Sequence, residues 1–105
     1  MANIENLDAL IAAPRSHKLL FENNNTRVLE VIIEPGEKEP MHTHILRSVM
    51  IVTEPARLIY HNADNTSFET TPSLDVKTEW MEPEQLHAVE NIDDKQYKAI
   101  RVEIK

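Results

Sequence analysis

Cysteine is absent from this chain, which excludes a disulfide framework, a thiolate metal site and a catalytic thiol. Any metal held here must therefore be held by nitrogen and oxygen. Glycine occurs once, as Gly36, against six prolines. Tight turns ordinarily recruit glycine for positive φ, so asparagine and aspartate are expected at those corners. A basic surplus is lacking too: 18 acidic residues face 11 basic ones, for a formal net charge of -7. That balance opposes nucleic acid and anionic lipid, and it suits a small-molecule partner that is cationic, neutral or metal-bound. No apolar run reaches bilayer length and no basic stretch leads into one at the N-terminus, so a cytoplasmic protein without membrane contact is expected.

A chain of 105 residues can build one modest core, and a single domain over 1–105 is expected, with 1–17 as helix and lead-in and 18–105 as the body. Residues 3 to 13 read as a short helix: Asn3 can cap it, Glu5 and Asp8 suit its first turns, Ile4, Leu7, Leu10 and Ile11 share a face, and Pro14 stops it. From Lys18 onward the period changes. Short β-branched and aliphatic runs predict strands at 18–22, 26–34, 47–53, 57–62, 67–70, 76–80, 86–91 and 97–104, separated by turn signals such as Asn23-Asn24-Asn25, Pro35-Gly36 and Ala63-Asp64-Asn65. Many short strands with such punctuation mean an antiparallel sandwich or barrel.

One strand carries more apolar residues than a half-buried strand needs. In 26–34, Leu29, Val31 and Ile33 take one face, while Val28 and Ile32 join Glu30 and Glu34 on the other. Packing by the N-terminal helix and a homodimer interface account for this equally well.

The chemistry concentrates in Pro35-Gly36-Glu37-Lys38-Glu39-Pro40-Met41-His42-Thr43-His44. Two histidines one residue apart on an extended chain point the same way, roughly 6 to 7 Å apart at the backbone, close enough to converge on one ion. A third, His87, arrives about forty residues later, with alternation placing it on one face with Val89 and Asn91. Three neutral imidazoles with open positions describe a catalytic type of metal site. Gln85, Glu82 or Glu84 can add an oxygen. Arg47, three positions after His44, is positioned to grip a substrate carboxylate if it faces inward, though an outward salt bridge is the simpler reading. Trp80 and Tyr60 read first as core aromatics and second as pocket walls. His61 reads as a half-exposed strand histidine, His17 as solvated, and Glu37, Glu39, Asp93 and Asp94 as solvated turns.

These residues resemble the cupin superfamily, whose first motif runs glycine, five residues, His-x-His, three or four residues, glutamate, six residues, glycine. Gly36, His42 and His44 match; the glutamate falls at Ser48 or Val49, and the later glycine near Pro55-Ala56. Of the second motif, His87 and Asn91 match, Pro83 sits one place off, and the glycine is missing. The resemblance runs from about Phe21 to the C-terminus. Arg27-Val28-Leu29-Glu30, His42-Thr43-His44, Trp80, His87 to Asn91 and Arg101 to Lys105 look further like the small cupins of the β-alanine degradation protein type.

The resemblance implies an all-β, closed cupin-type antiparallel β-barrel, a double-stranded β-helix or jelly roll, with a short N-terminal helix. It implies a divalent metal (iron, manganese, nickel or zinc) on His42, His44 and His87, with Arg47, Trp80, Gln85 and Asn91 toward a substrate pocket. Cupins host dioxygenases, isomerases and lyases as well as ligand sensors. Two functions follow: a metal-dependent enzyme acting on a small organic metabolite, such as an amino or carboxylic acid, or a non-catalytic binding, accessory or interaction protein with a degenerate metal site.

Overall fold

The computed structural model describes residues 7–70, 72, 75 and 77–105. One helical turn, α1 (Ala9–Ala12), precedes β1 (His17–Glu22), β2 (Thr26–Ile33), β3 (His42–His44), β4 (Arg47–Glu54), β5 (Leu58–Asn62), β6 (Ser67–Thr70), β7 (Lys77–Met81), β8 (Glu84–Asn91) and β9 (Tyr97–Ile104). Asp8 caps the turn by accepting from the Leu10 amide, and Pro14 follows directly. The expected helix was longer, and its residues 3 to 6 lie outside the described ones. Its inward face also differs: the small side chains of Ala9 and Ala13 are fully buried, while Ile11 faces solvent. α1 packs on β1 and β3, so it does not cover the outer face of β2.

Two antiparallel sheets form, one in the order β1-β2-β9-β4-β7 and the other β3-β8-β5-β6. Among the described residues they share no strand pair, so the expected closed barrel is in fact two facing sheets with open seams. The turns use the chemistry the composition demanded. Gly36 has φ 78 and follows Pro35, with the Glu37 amide donating to the Glu34 carbonyl; Asn65, at φ 70, takes the other left-handed corner. Asn23 folds the β1–β2 connection by accepting from the amides of Asn25 and Thr26 and from the Thr26 hydroxyl.

Alternation places the core between the sheets. Val31 and Ile33 of β2, Met50 of β4, Tyr97 and Ala99 of β9, Leu58 of β5 and Val89 of β8 form one cluster with Ala56. Yet the same inward rows change character along their length. On β9 the buried residues run Tyr97, Ala99, Arg101, Glu103, from apolar to charged, whereas the half-buried outer row is Lys98, Ile100, Val102, Ile104. The interior is thus apolar at one end and polar at the other. No helix among the described residues is long and apolar enough to cross a membrane.

Candidate metal centre

The segment after the Pro35-Gly36 turn is held along β8. Gly36 donates to the Asn91 carbonyl, Asn91 to that of Glu37, and Glu39 to that of Val89. This carries β3 onto β8 with His42 directly opposite His87 and His44 opposite Glu84. The rings of His42 and His87 lie 4.5 Å apart between centroids, those of His42 and His44 5.0 Å, and those of His44 and His87 5.5 Å. All three are buried.

A fourth histidine joins them. His17, expected to be solvated, is only 5% exposed, with its ring 4.7 Å from that of His42 and 5.2 Å from that of His44. It opens β1 opposite Val31, whose inward side it shares. One ligand atom each from His17, His42 and His44 lies within 4.8 Å of the others. An ion bonded at about 2.1 Å to each nitrogen would draw them closer still. His87 borders this set with its Nε2 3.3 Å from Glu84 Oε2.

Hydrogen bonding fixes which nitrogens are available. A carbonyl only accepts, so Nδ1 of His42 donates to Pro40 O (2.8 Å), that of His87 to Gln85 O (2.7 Å) and that of His17 to Ala13 O (3.1 Å). Each Nε2 keeps its lone pair, the arrangement in which outer partners orient metal-binding imidazoles. Burial, the largest cause, pushes His17 down to about 3 and His42 down to about 4, and it holds His44 well below the ordinary imidazole range with Arg101 adding to the effect. These rings are neutral at pH 7, as ligation requires.

Carboxylates surround the set. Glu39, expected in a solvated turn, is buried; it accepts from Ser16 Oγ (2.6 Å) and the Val89 amide (3.1 Å), and burial lifts it to about 7. Its Oε1 stands 3.5 Å from His42 Nε2. Glu103, 0% exposed, pairs with Arg27 and brings Oε2 to 3.6 Å from His44 Nδ1. In register it sits beside Ser48, the position where the cupin motif has its glutamate, so a carboxylate reaches this corner from the neighbouring strand. Arg101 is buried and donates to Glu84 Oε1 at 2.7 Å.

The fit to a cation rests on unpaired atoms. His42 Nε2, His44 Nδ1, Ser48 Oγ and Glu103 Oε2, each able to offer a lone pair, are buried without a hydrogen-bond partner, as is the donor Arg101 Nε, which offers none. Each such atom costs about 1–3 kcal/mol if left alone. A cavity of about 20 Å³ lies among the four histidines, Glu39, Glu84 and Arg101, room for one ion-sized guest. Its lining is rich in acceptors, and a divalent ion fits that donor set. The residues present therefore suit nitrogen-dominated coordination with carboxylate charge close behind.

The other expected site residues separate. Arg47 and Trp80 lie on the outer face: inward alternation on β4 takes Ser48 and Met50, so Arg47 and Val49 turn outward, and Trp80 pairs with Val49. Trp80 is half exposed and donates to Glu82. Neither reaches the cavity, which corrects the placement of both in the substrate pocket; Arg47 takes the outward direction that was its simpler reading. Asn91 is fully buried, but its amide donates to the Ile33 and Lys95 carbonyls and its oxygen accepts from the Asp93 amide, so it secures loops instead of facing a ligand. Gln85 borders a larger chamber of about 410 Å³ that adjoins the cluster at Glu84 and His87. His61 pairs with Glu90 away from the site.

His17, Glu39, Arg101 and Glu103 were not legible as site residues from the motif alone, whereas Glu84 was among the residues expected to add an oxygen. Two signals pointed at the others, though none at His17. Glu-x-x-His occurs twice, as Glu39 to His42 and Glu84 to His87, with the same geometry each time. The last strand alternates with its apolar set Ile100, Val102 and Ile104 opposite Arg101 and Glu103, so burying one row forces a choice that only the partner sheet makes.

No family model matches this sequence, and no curated protein does. Solved structures do. A cupin domain from Bordetella pertussis Tohama I superposes with a TM-score of 0.74 at 19% identity over 85% of this chain and 91% of that one. An RmlC-like cupin family protein with a double-stranded β-helix fold from Methanocaldococcus jannaschii gives 0.64 at 11% identity over 84% and 77%. The polyketide cyclase RemF from Streptomyces resistomycificus gives 0.61 at 13% identity over 99% and 78%. The chain has the cupin fold.

Proposed function

We propose that this protein holds one divalent metal ion on His17, His42 and His44, with His87 alongside, and takes a small organic molecule next to it. The observation that carries the reading is the convergence of buried, neutral imidazoles, with unpaired polar atoms, on a cavity of about 20 Å³ in a cupin fold. Bound there, iron, manganese, nickel or zinc would supply Lewis acidity or a site for oxygen chemistry. The chain's own contribution is to hold the imidazoles of His17, His42 and His87 in one tautomer, to balance charge through Glu39, Glu84 and Glu103, and to keep bulk water out. A cytoplasmic location belongs to the same proposal.

The test is titration of metal-stripped protein with each of the four ions, iron(II) anaerobically, followed by calorimetry and thermal unfolding. One equivalent of at least one ion should bind and raise the melting temperature. His42→Ala and His44→Ala should each weaken binding ten-fold or more, and His17→Ala should cost more than His87→Ala. Wild-type protein that binds none of the ions would remove the metal from the reading.

A second reading, a non-catalytic binding or accessory protein with a degenerate site, draws on Ser48 standing where the motif has its glutamate. The resemblance to the β-alanine degradation type would make the ligand an amino or carboxylic acid. Turnover of a bound ligand separates the two readings.

We also propose that a second copy of the chain covers the outer face of the five-stranded sheet. One register row crosses all five strands as Phe21, Val28, Val102, Val49 and Trp80, with Ile100 and Ile51 in the next. Three strands of eight residues flanked by one of six and one of five, about 4.8 Å apart, present roughly 450–550 Å² per copy, or about 900–1,100 Å² over both copies, near the lower bound of a specific interface. Lys98 and Glu30 on the same face pair at 3.9 Å, whereas Lys18 and Arg47 leave positive charge at its margins that a two-fold partner must accommodate. Light scattering should give a dimer that Val102→Lys converts to a monomer; a monomeric wild type would contradict this.

A further inference from the structure

The chamber of about 410 Å³ lies between β4, β7 and β9 on one side and β5, β6 and the start of β8 on the other, and its inner end is Glu84 and His87. Its size admits roughly 10–20 non-hydrogen atoms. Met50, Val52, Met81, Tyr60, Phe68 and Tyr97 make its walls predominantly apolar. Two methionines let those walls adapt to shape. Phe68, Tyr60 and His87 form a stair of near-parallel rings leading inward: Tyr60 and Phe68 are 5.1 Å apart at 2°, and Tyr60 and His87 are 6.4 Å apart at 21°.

Charge decides what can enter. Every charged group on the lining is already paired within the protein: Glu84 with Arg101 at 2.7 Å, and Lys77 with Glu79 at 3.3 Å. The guanidinium of Arg101 stands behind Glu84, bordering the histidine cavity but not the chamber. An anionic ligand would meet a carboxylate first and a cation only beyond it. A cationic ligand would compete with Arg101 for Glu84 inside apolar walls, where an unmatched charge is costly. A neutral hydroxyl or amide N–H meets no such penalty. An ionised carboxylate has about four acceptor positions, of which the Arg101 hydrogen bond occupies one.

From this we infer that the chamber takes a neutral, mainly apolar molecule, flat enough to lie along the ring stair, which enters with a hydroxyl or N–H donor pointed at Glu84. The inference rests on the proposal that the protein takes a small organic ligand, and it replaces the acid suggested by sequence resemblance with an uncharged donor. It does not need the metal.

Three probes of one shape test it: 2-naphthol, 2-naphthoate and 2-(aminomethyl)naphthalene, titrated at pH 7 into full-length protein with EDTA present so that no ion recruits the carboxylate. Amide shifts in NMR spectra should map to β4, β7 and β8, and 2-naphthol should bind at least ten-fold tighter than either charged probe. Glu84→Gln exposes Arg101, so the preference should move toward 2-naphthoate. Met81→Trp fills the chamber and should abolish binding of all three. Should Glu84→Gln fail to fold, the wild-type ranking still decides. Tighter binding of 2-naphthoate or of the amine by wild type overturns the inference while leaving a ligand pocket in place. No binding by any probe overturns both the inference and the ligand half of the proposed function, leaving the metal titration to stand separately.

Discussion

Arg27→Met should destabilise the fold by about 3–5 kcal/mol, the range for removing one partner of a buried charge pair. Arg27 lies on the inward row of β2 opposite Glu103 and reaches two carboxylates: Glu103, which is fully buried, and Asp8, whose oxygen is 2.8 Å away and which caps α1. Without the guanidinium, the nearest cationic atom to Glu103 Oε2 is Arg101 Nε at 3.9 Å, too far for a hydrogen bond. Asp8 loses its tether to the sheet at the same time. The double variant Arg27→Met/Glu103→Met should recover most of the loss, because replacing both partners of a buried pair by apolar groups is often close to neutral. Urea unfolding of the three proteins measures this. Equal losses in the single and double variants would show that the cost lies in packing and not in the stranded carboxylate.

Acid should unfold the metal-free protein over an unusually high pH range. His17, His42 and His44 are kept neutral in the folded state, with values of about 3 for His17, about 4 for His42 and a lowered one for His44, against 6.5 when unfolded. Below pH 6.5 the unfolded chain therefore takes up three protons that the folded chain refuses, and stability falls as pH falls. Glu39 works in the opposite direction. Its folded value near 7 exceeds the unfolded 4.5, so between those limits the folded chain holds a proton that the unfolded chain has released. Three less one leaves an excess of two protons on the unfolded state between pH 6.5 and 4.5. The slope is then up to about 2.7 kcal/mol per pH unit. Urea midpoints at pH 7 and pH 5.5 should differ accordingly, and His17→Gln should reduce the slope by about one proton. Stability that is flat from pH 7 to pH 5.5 would mean that the imidazoles are not buried and neutral.

Both predictions concern groups that local pattern could not locate. Eight of the nine strands were legible to within two residues, because period-two alternation and turn chemistry are local: 97–104 and 67–70 were expected as found, and Asn65 took a left-handed corner as the scarcity of glycine required, whereas the three-residue β3 was not among the expected strands because only its pairing with β8 defines it. His42 and His44 were legible because an extended His-x-His points both rings one way. His17 was not, since nothing in Ser16-His17-Lys18 says that β1 will lay its first side chain across β3. The pocket placement of Arg47 and Trp80 failed for a related reason. A strand with apolar residues on both faces does not announce which face is inward, and the sheet chose Ser48 and Met50. Glu39 was misread because an acidic residue beside proline resembles a solvated turn until Ser16 and the Val89 amide arrive to satisfy it.

By itself, then, the sequence determined the all-β character, the places where the chain turns and two of the histidines, because those features depend on neighbours within a few residues. Tertiary structure decided which rows face inward, that His17 completes the cluster, and that Glu103 of β9 stands beside Ser48. Such choices are made by contacts between residues dozens of positions apart, where burying one row against the opposite sheet outweighs any local preference.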